Sequence, residues 1–323
     1  EHFEKHHLRQ GAYMSPPAHH DPEIKEQIRG LLKNRNAILL AHNYQRPEIQ
    51  DIADLCGDSL ELSMKASQTE AEVIVFCGVH FMAETASILC PDKTVLLPVA
   101  GAGCPMADMI TARALREKRK EIPDAYVISY VNTTAEVKAE SDICCTSANV
   151  IQVVNAVDPH TRILMTPDKN LAQYAAHHTE REITWWEGYC PVHNNLTAKQ
   201  VERVKKEHPE APFVAHPECP PSVLELADAV KSTSGMLSYV QQSAKSAFII
   251  GTETGILYPL EKANPGKRFI PADPGMVCAD MKKTRLPHIL AALETLQPEI
   301  RVPDEIRIRA KSAVEKMLAV PIK

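Results

Sequence analysis

The sequence predicts an α/β protein built from three related units with parallel sheets. One observation is a pattern that occurs three times: an apolar run, a polar cluster and a closing Ala-Asp or Ser-Asp pair, with positions 42, 130 and 216 in register at spacings of 88 and 86 residues. The other is that apolar runs alternate with helix-like stretches in every copy, which is typical of parallel strands joined by right-handed crossovers. A fixed long period indicates repeated structural units, and roughly 90 residues is the size of a small domain.

Each copy contains three apolar runs that we predict to be strands. The predicted strands are 37–41, 72–77 and 94–97, then 125–128, 161–165 and 183–186, and finally 212–214, 246–250 and 269–270. Each copy is preceded by a charged amphipathic helix, at 22–33, 108–120 and 197–207. Asp108 and Thr197 are suitable N-caps for the second and third of these helices.

These patterns also predict the domain boundaries. The three units are expected at 22–106, 107–193 and 194–285, after a flexible, His-rich N-terminal arm at 1–21. Two helical patterns, near 286–293 and 306–317, have no counterpart in the repeat. We therefore expect the segment 286–323 to pack back on the first unit.

Composition excludes several classes of protein. A chain of 323 residues is long enough for a large buried core. Its formal net charge of −5, without a long basic block, gives no reason to expect nucleic acid as a partner. No apolar run approaches the roughly 18 residues of a membrane span, and the chain opens without a signal peptide. We expect a cytoplasmic protein with reduced thiols and no membrane partner.

Three of the nine cysteines repeat with the units. Cys104, Cys190 and Cys278 follow the third predicted strand of each copy at intervals of 86 and 88 residues. Loops related by a pseudo-threefold axis would bring their sulfur atoms to one point, and sulfur ligands suit zinc or an iron-sulfur cluster. A structural zinc site usually has a fourth protein ligand and a short Cys-x-x-Cys pair, and neither is evident. Three cysteines on a cubane cluster would leave one iron open as a Lewis acid.

The alternative is that these cysteines are small buried residues that recur with the repeat. Glycines close to the three cysteines argue against this, because they provide the small-residue backbone that a buried cluster demands. These glycines are Gly101, Gly103, Gly188 and Gly275.

Polar side chains follow the first strand of each copy. They form pairs two residues apart: His42 and Tyr44, Tyr130 and Asn132, and His216 and Glu218. Ligands of parallel sheets bind at the carboxyl ends of strands, where helix N-termini present free N–H groups. Hydroxyl residues repeat as well, five residues after an Asp in each copy: Ser59, Ser147 and Thr233. One such residue could be an ordinary helix cap, but the triplet indicates a ligand site.

These motifs resemble the quinolinate synthase family, the A protein of bacterial NAD biosynthesis. The resemblance runs from about Pro22 to the C-terminus. It is carried by Ala-His-Asn-Tyr at 41–44, Gly-Asp-Ser at 57–59, Gly-Cys-Pro-Met-Ala-Asp at 103–108, Tyr-Val-Asn at 130–132, Cys-Thr-Ser-Ala-Asn at 145–149, Gly-Tyr-Cys-Pro-Val-His at 188–193, His-Pro-Glu-Cys at 216–219 and Ser-Thr-Ser-Gly at 232–235. The resemblance implies a pseudo-threefold trefoil of three related three-layer α/β/α domains with short parallel sheets. It places the active site at the centre, with a 4Fe-4S cluster held by Cys104, Cys190 and Cys278.

The resemblance also implies a reaction: condensation of iminosuccinate (iminoaspartate) with dihydroxyacetone phosphate to quinolinate, phosphate and two waters. A functional link to L-aspartate oxidase follows from the same family. The implied substrate-binding residues are His42, Ser59, Tyr130, Asn132, Ser147, His216, Glu218 and Thr233. The expected catalytic residues are His42, Tyr44, Tyr130, His216 and Glu218, because the chemistry needs groups that both donate and accept protons.

Two other functions share part of this pattern. An isoprenoid-type reductase is another trefoil iron-sulfur enzyme with three cysteines around an open iron, but it needs electrons, whereas condensation and dehydration are redox-neutral. A non-enzymatic cluster carrier would need no convergent His, Glu and Tyr, and it should release its cluster readily to an apo-acceptor.

Overall fold

The computed structural model describes residues 22–321, which contain three four-stranded sheets of parallel strands. The strand order is the same in each: β2-β1-β3-β4, β6-β5-β7-β8 and β10-β9-β11-β12. Helices cover both faces of the sheets, so the predicted α/β fold with three related three-layer units is confirmed. The predicted N-terminal arm lies outside the described residues.

All nine predicted strands are present, and each sheet also has a fourth strand that the sequence pattern did not indicate. The strands are β1 Ala37–His42, β2 Leu55–Gly57, β3 Val73–Cys77, β4 Thr94–Leu96, β5 Tyr126–Tyr130, β6 Ile143–Cys145, β7 Ile163–Thr166, β8 Ile183–Trp185, β9 Phe213–Ala215, β10 Ala229–Val230, β11 Ala247–Gly251 and β12 Arg268–Pro271. The additional strands β2, β6 and β10 are edge strands of only two or three residues. Such short strands leave no alternation that periodicity can detect.

The helices alternate with the strands. They are α1 Pro22–Asn34, α2 Pro47–Gln50, α3 Ser59–Gln68, α4 His80–Leu89, α5 Ala112–Glu121, α6 Ala135–Ala139, α7 Val150–Ala156, α8 Lys169–Thr179, α9 Pro191–Asn194, α10 Ala198–Glu207, α11 Pro221–Leu224, α12 Thr233–Gln242, α13 Leu257–Ala263, α14 Leu286–Thr295 and α15 Asp304–Ala319. Two 3₁₀ turns occur at Ala107–Met109 and Thr254–Ile256.

The prediction for the start of α5 was wrong. Asp108 lies in the 3₁₀ turn, and Ile110 has extended backbone angles that separate this turn from the helix. Thr111 is the N-cap instead, because its hydroxyl accepts a hydrogen bond from Ala114 N. Thr197 caps α10 as predicted, within a capping box completed by Gln200.

The repeated Asp that ends each motif has a structural role. Asp54, Asp142 and Asp228 each accept the backbone N–H at or near the start of the unit's first strand, at 2.7, 2.8 and 2.7 Å. Each contact spans 15 residues, so the same turn is closed in all three units. The carboxylates therefore fix the crossover that delivers the following hydroxyl residue to the carboxyl end of the sheet.

The ionisation of Asp228 makes the stability of this turn depend on pH. Burial opposes ionisation, but the hydrogen bond from Phe213 N and the ammonium of Lys205 hold the pKa of Asp228 below its ordinary value of 3.8. A carboxyl whose folded pKa is depressed stabilises the fold above its unfolded pKa, and this stability is lost as pH falls through the folded pKa. We expect Asp228→Asn to flatten the decline of the unfolding midpoint below about pH 4, measured by chemical denaturation. The exposed Asp124→Asn is the matched control, and an equal flattening there would contradict this role.

The first unit shows how the layers are packed. One face of its sheet packs against α1 and α14 through residues such as Ile28, Leu39 and Ile289, which are fully buried. The other face packs against α3 and α4 and joins the large core shared with the second unit. Burial of this apolar surface is the main favourable term in folding.

The two tail helices pack in different places. α14 contacts α1 and β3 of the first unit. α15 contacts mainly α6 and β6 beside the second sheet, and also α4. Its buried side chains Ala310, Val314 and Met317 therefore pack between these elements, so that α15 bridges two sheets.

Candidate active site

The carboxyl ends of the three sheets meet at one central cavity of about 680 Å³, including the part open to solvent. The structure places every residue that was predicted to act or bind on the wall of this cavity: His42, Tyr44, Ser59, Tyr130, Asn132, Ser147, His216, Glu218 and Thr233, together with Cys104, Cys190 and Cys278. Equivalent residues of the three units, which are more than 80 positions apart in sequence, thus line the same cavity. The functional role of each stays a prediction.

A chain of hydrogen bonds crosses the cavity wall from the first unit to the third. The Tyr44 hydroxyl accepts from Thr233 Oγ1 at 3.1 Å and lies 2.6 Å from Thr252 Oγ1. Thr252 Oγ1 lies 2.7 Å from His193 Nε2, and His193 Nδ1 lies 2.7 Å from Glu218 Oε2. One set of donors satisfies every link: Tyr44 donates to Thr252, Thr252 to His193 Nε2, and His193 Nδ1–H to Glu218.

Glu218 is the negative end of this chain. It is 3 % exposed, and burial by itself would raise its pKa. The neighbouring His193 and His216 outweigh burial and hold the pKa of Glu218 well below its ordinary value. We assign most of this effect to His193, because the pKa of His216 is itself lowered by burial and its ring stays neutral.

Asp168 provides a contrast with Glu218. Its carboxylate Oδ1 accepts from Asn170 N and Leu171 N as the N-cap of α8, yet burial and the charge of Glu218 raise the pKa of Asp168 well above its ordinary value. Two carboxyl groups with pKa values pushed in opposite directions can hold one charge and one proton in the same site. Glu218 therefore carries the charge.

Three further titratable side chains of the wall, His42, Tyr44 and Tyr130, are neutral near pH 7. Burial, with contributions from His216 and Lys282, lowers the pKa of His42 to about 3. His42 Nδ1 accepts a hydrogen bond from Tyr44 N at 3.1 Å, as His216 Nδ1 does from Glu218 N at 3.4 Å. Burial raises the pKa of Tyr44 and of Tyr130, and the charge of Glu218 raises that of Tyr130 further. These side chains can donate or accept hydrogen bonds without adding net charge.

The three repeated hydroxyl residues are not helix caps. Asp58 caps α3 and Ser232 caps α12, so Ser59 and Thr233 are the first residues of their helices. Ser147 precedes Asn149, the residue before α7. All three side chains line the cavity. Thr233 Oγ1 donates to Tyr44, and Asp58 accepts the Leu60 and Glu61 N–H groups at the start of α3.

Two polar atoms of the wall have no partner within residues 22–321. Asn132 Oδ1 and Glu218 Oε1 are buried and form no hydrogen bond in the described part of the chain. A buried polar group without a partner costs about 1–3 kcal/mol. Both atoms therefore favour a ligand that can donate hydrogen bonds to them.

The three cysteines share a local geometry. Backbone N–H groups two or three residues later lower the thiol pKa in each loop: those of Met106 and Ala107 for Cys104, of His193 for Cys190, and of Asp280 and Met281 for Cys278. Burial nevertheless dominates and raises the pKa of all three thiols, that of Cys104 to about 12. The loops are therefore arranged to accept negative sulfur, but they need a cation to make the thiolate form stable.

A group of three side chains could hold a metal ion. One ligand atom from each of Cys190, His193 and Glu218 lies within 4.8 Å of the other two. His193 also has an outer partner, Thr252, on its second ring nitrogen, as metal-bound histidines usually do. Cys190 thus belongs both to this group and to the cysteine trio.

Only one of the four glycines near the cysteines is required by packing. A Cβ on Gly188 would lie 2.5 Å from Pro167 O, so the approach to Cys190 needs glycine there. A Cβ on Gly101 would meet nothing within 4 Å, one on Gly103 would lie 4.0 Å from Asp280 Oδ1, and one on Gly275 would lie 3.2 Å from Asp273 Oδ1. The role of the glycines beside a cluster therefore stays a prediction.

Two residues of the hydrogen-bond chain were not singled out from the sequence. His193 lies within the motif at 188–193 but has no counterpart in the repeat, and no sequence pattern marks Thr252. The position of Thr252, directly after β11, is the signal that could have identified it, since polar residues at strand ends form the rest of the site.

A pseudo-threefold α/β fold with buried titratable side chains, three of which could hold a metal ion, around one central cavity is typical of an enzyme. The family model described as Quinolinate synthetase A protein matches residues 26–319. The quinolinate synthase of Methanoregula boonei is 59 % identical over 297 residues, which cover 92 % of this chain and 98 % of the relative. The quinolinate synthases of Geobacter sp. (strain M21) and Methanosarcina barkeri are 54 % and 51 % identical over 92 % and 93 % of this chain, and over 98 % and 99 % of their own lengths. The chain belongs to the quinolinate synthase family.

None of the helices within residues 22–321 is long and apolar enough to cross a membrane.

Proposed function

We propose that this enzyme condenses iminosuccinate with dihydroxyacetone phosphate to form quinolinate, with loss of phosphate and two waters. The observation that supports this best is the continuous chain from Tyr44 to Glu218 beside three cysteines on one cavity. Ring closure to a pyridinedicarboxylate needs proton shifts, imine formation and two dehydrations, and the chain supplies groups for proton transfer. The substrates are small, so a functional link to L-aspartate oxidase, as a source of the imine, is part of the proposal.

The residues present fit a 4Fe-4S cluster. Cys104, Cys190 and Cys278 would hold it, since all three line the cavity and have backbone N–H groups directed at their sulfur atoms. When bound, such a cluster supplies Lewis acidity through the iron that no cysteine holds.

The protein's own groups would move protons along the chain. When His193 Nε2 takes a proton from Thr252, which is replaced by that of Tyr44, the ionised Glu218 stabilises the resulting imidazolium through His193 Nδ1–H. This arrangement of carboxylate, imidazole and hydroxyl is the one by which a Ser-His-Asp triad prepares a hydroxyl to lose its proton. Tyr44 would thereby accept or return a proton in the cavity, without direct access to bulk water.

Substrate oxygens would be held by neutral groups. The hydroxyls of Ser59 and Ser147 and the N-terminus of α12 provide donors for carboxylates and phosphate, with Thr233 beside them. The neutral ring of His42 and the side chains of Tyr130 and Asn132 complete the polar lining. An apolar wall that includes Phe81, Met82 and Met281 excludes water and strengthens these contacts.

One assay tests the proposal. The anaerobically purified, iron-loaded protein is incubated with dihydroxyacetone phosphate and iminosuccinate, and quinolinate is measured by mass spectrometry without any added reductant. We expect quinolinate to form. A requirement for a reductant would instead favour the isoprenoid-type reductase. Absence of any turnover, together with rapid cluster transfer to an apo-acceptor, would favour a carrier.

A substitution in the middle of the chain tests the proton route. Thr252→Val keeps the shape of the side chain but removes the hydroxyl that joins Tyr44 to His193. We expect kcat to fall about tenfold or more with little change in KM, because the interaction is needed for proton transfer rather than for ground-state binding. Thr254→Val, two residues further along, is the control, and an equal loss there would argue against the route.

The domain boundaries and the location remain proposals of the same kind. Division at 106, 193 and 285 is supported by the fact that each of the three segments contains one complete sheet. A cytoplasmic location is supported by the family's place in NAD biosynthesis and by the need of a cluster for a reducing compartment.

A further inference from the structure

We propose that residues 278–283 form an inter-unit clasp in which the Glu253–Lys282 ion pair positions both Cys278 and Tyr44. Lys282 and Glu253 are thereby positioning residues for the cluster and for the hydrogen-bond chain, rather than participants in the reaction. The positioning of the cluster rests on the proposed function. The positioning of the backbone at Cys278 and Tyr44 is independent of the proposed function.

Glu253 holds the cysteine loop of the third unit. Its side chain is fully buried, and Oε1 accepts the backbone N–H of Cys278 at 3.1 Å. Oε2 accepts Gly255 N at 2.7 Å, so the carboxylate is fixed at both oxygens by its own unit. Such a contact limits the movement of the sulfur, because it sets the backbone position of the residue that carries it.

Lys282 connects this carboxylate to the first unit. Its ammonium lies 3.0 Å from Glu253 Oε1 and 3.2 Å from Oε2, and it donates a hydrogen bond to the backbone carbonyl of Tyr44. Arg46, two residues after Tyr44, donates from Nε to Lys282 O at 3.0 Å. The lysine backbone and side chain are therefore both tied to the strand-end loop that carries Tyr44.

The packing around this contact leaves no space for adjustment. A Cβ on Gly255 would lie 2.6 Å from Lys282 Nζ, 2.7 Å from Glu253 Oε2 and 2.8 Å from Tyr44 O. Three groups from two units thus converge on one glycine, and any side chain there would separate them. Such close packing is what makes a charged pair a positional constraint rather than a loose surface contact.

Residues 278–283 also contact the cysteine loop of the first unit, which carries Cys104. Asp280 Oδ1 accepts Gly103 N, next to Cys104, at 3.0 Å. Lys283 donates to Gly101 O at 2.7 Å and to Asp280 Oδ1 at 2.6 Å. The clasp thus fixes the backbone beside two of the three cysteines, as well as the loop of Tyr44.

The second unit contains a related contact within itself. Asp168 lies two residues after β7, as Glu253 lies two residues after β11, and the backbone N–H of Cys190 faces its carboxylate. A buried carboxyl side chain at this strand end thus accompanies a cysteine loop in two units. In the third unit alone, a lysine extends this contact to Tyr44 of the first unit.

The chain offers a matched control for Lys282. Lys262 also joins the third unit to the first, through an ion pair with Asp51 at 2.7 Å, but its side chain is 61 % exposed and its ammonium bonds to Asp51 instead of Glu253. Lys262→Met therefore removes an inter-unit ion pair without affecting the clasp. Lys282→Met removes the clasp pair at similar side-chain volume, and Lys282→Arg retains a cation that can pair with Glu253.

The contacts are tested first by hydrogen-deuterium exchange of the full-length chain. Peptides that cover 272–284 and 42–50 should exchange faster in Lys282→Met than in the parent protein and remain unchanged in Lys262→Met. Lys282→Arg should restore part of the protection. Unchanged exchange in Lys282→Met, or equal acceleration by Lys262→Met, would overturn the clasp. If Lys282→Met does not fold, Asp280→Ala tests the contact with Gly103 in the same way.

The consequence for the cluster is tested by its rate of loss to an iron chelator, followed by visible absorption without substrates. We expect loss about tenfold faster in Lys282→Met, which is the scale seen when outer partners of metal ligands are removed. Loss in Lys262→Met should match that of the parent protein. An equal rate in Lys282→Met would overturn the positioning role. A parent protein that holds no cluster would refute the cofactor proposal, while the exchange experiment would still test the clasp.

Discussion

Replacement of any one of Cys104, Cys190 and Cys278 by Ala is expected to abolish or cripple the iron-sulfur cluster, and activity with it. Each loop directs backbone N–H groups at its sulfur, yet burial raises the thiol pKa, so the thiolate is stable only beside a cation. Removal of one ligand leaves two, which is too few to retain a cluster that already lacks a fourth protein ligand. Iron content and visible absorption of anaerobically loaded protein provide the measurement.

Cys219→Ala is the matched control for this series. Cys219 is fully buried next to Glu218 in sequence, but its thiol faces Gly251 O at 3.6 Å instead of lining the cavity. It should keep its full iron content. Equal dependence on Cys219 would make the three-ligand interpretation wrong.

The series also separates two kinds of metal centre. If Cys190→Ala lost the metal while Cys104→Ala and Cys278→Ala kept it, the centre would be the Cys190–His193–Glu218 group instead of a cluster. If three cysteines hold a cluster, each of the three variants should lose its iron.

Much of the fold could be predicted because the repeat marks the three units and the local pattern of apolar residues marks the central strands of each unit. Apolar runs such as 73–77 and 247–251 are fully buried central strands, and their hydrophobicity alone marks them. The edge strands β2, β6 and β10 were missed because their pairing with the neighbouring strand, not their composition, defines them. The packing of α15 beside the second sheet was likewise not evident, since an amphipathic pattern shows a buried face but not its partner.

The site was predictable to the extent that it obeys the same repeat. His42 and His216 occur at equivalent strand ends, and this position brings them to the cavity. The link from Tyr44 through Thr252 to His193 joins three different units. Sequence periodicity relates equivalent positions but does not reveal which nonequivalent positions touch. The clasp was missed for the same reason.

Glu218→Gln is expected to keep the cluster spectrum and to lower turnover about 100-fold or more, the usual scale for removal of a general acid or base. The amide can still accept a hydrogen bond from His193, whose Nδ1 lies 2.7 Å from the carboxylate, so the geometry of the chain can persist. It lacks the negative charge that stabilises the protonated ring of His193. The loss corresponds to about 2.7 kcal/mol of transition-state stabilisation. His216→Ala should show a loss of the same order, because its ring lies 3.3 Å from the same carboxylate oxygen.

The pH dependence follows from the direction of the Glu218 shift. Because the pKa of this carboxylate is held well below its ordinary value of 4.5, it remains ionised throughout the neutral and mildly acidic range. Activity that depends on Glu218 should therefore show no acid limb near pH 4 to 5, where an unperturbed glutamate would titrate. A rate profile with such a limb would contradict the assignment.

Glu84→Gln is the control for the substitution itself. Glu84 is also buried, at 8 % exposure, but its Oε2 accepts Ala135 N at the start of α6, away from the central cavity. We expect this variant to make quinolinate at close to the parent rate, with loss of stability alone. Near-normal quinolinate formation by Glu218→Gln would falsify the acid-base role of Glu218, because no other carboxylate ends the chain from Tyr44 through His193 within residues 22–321.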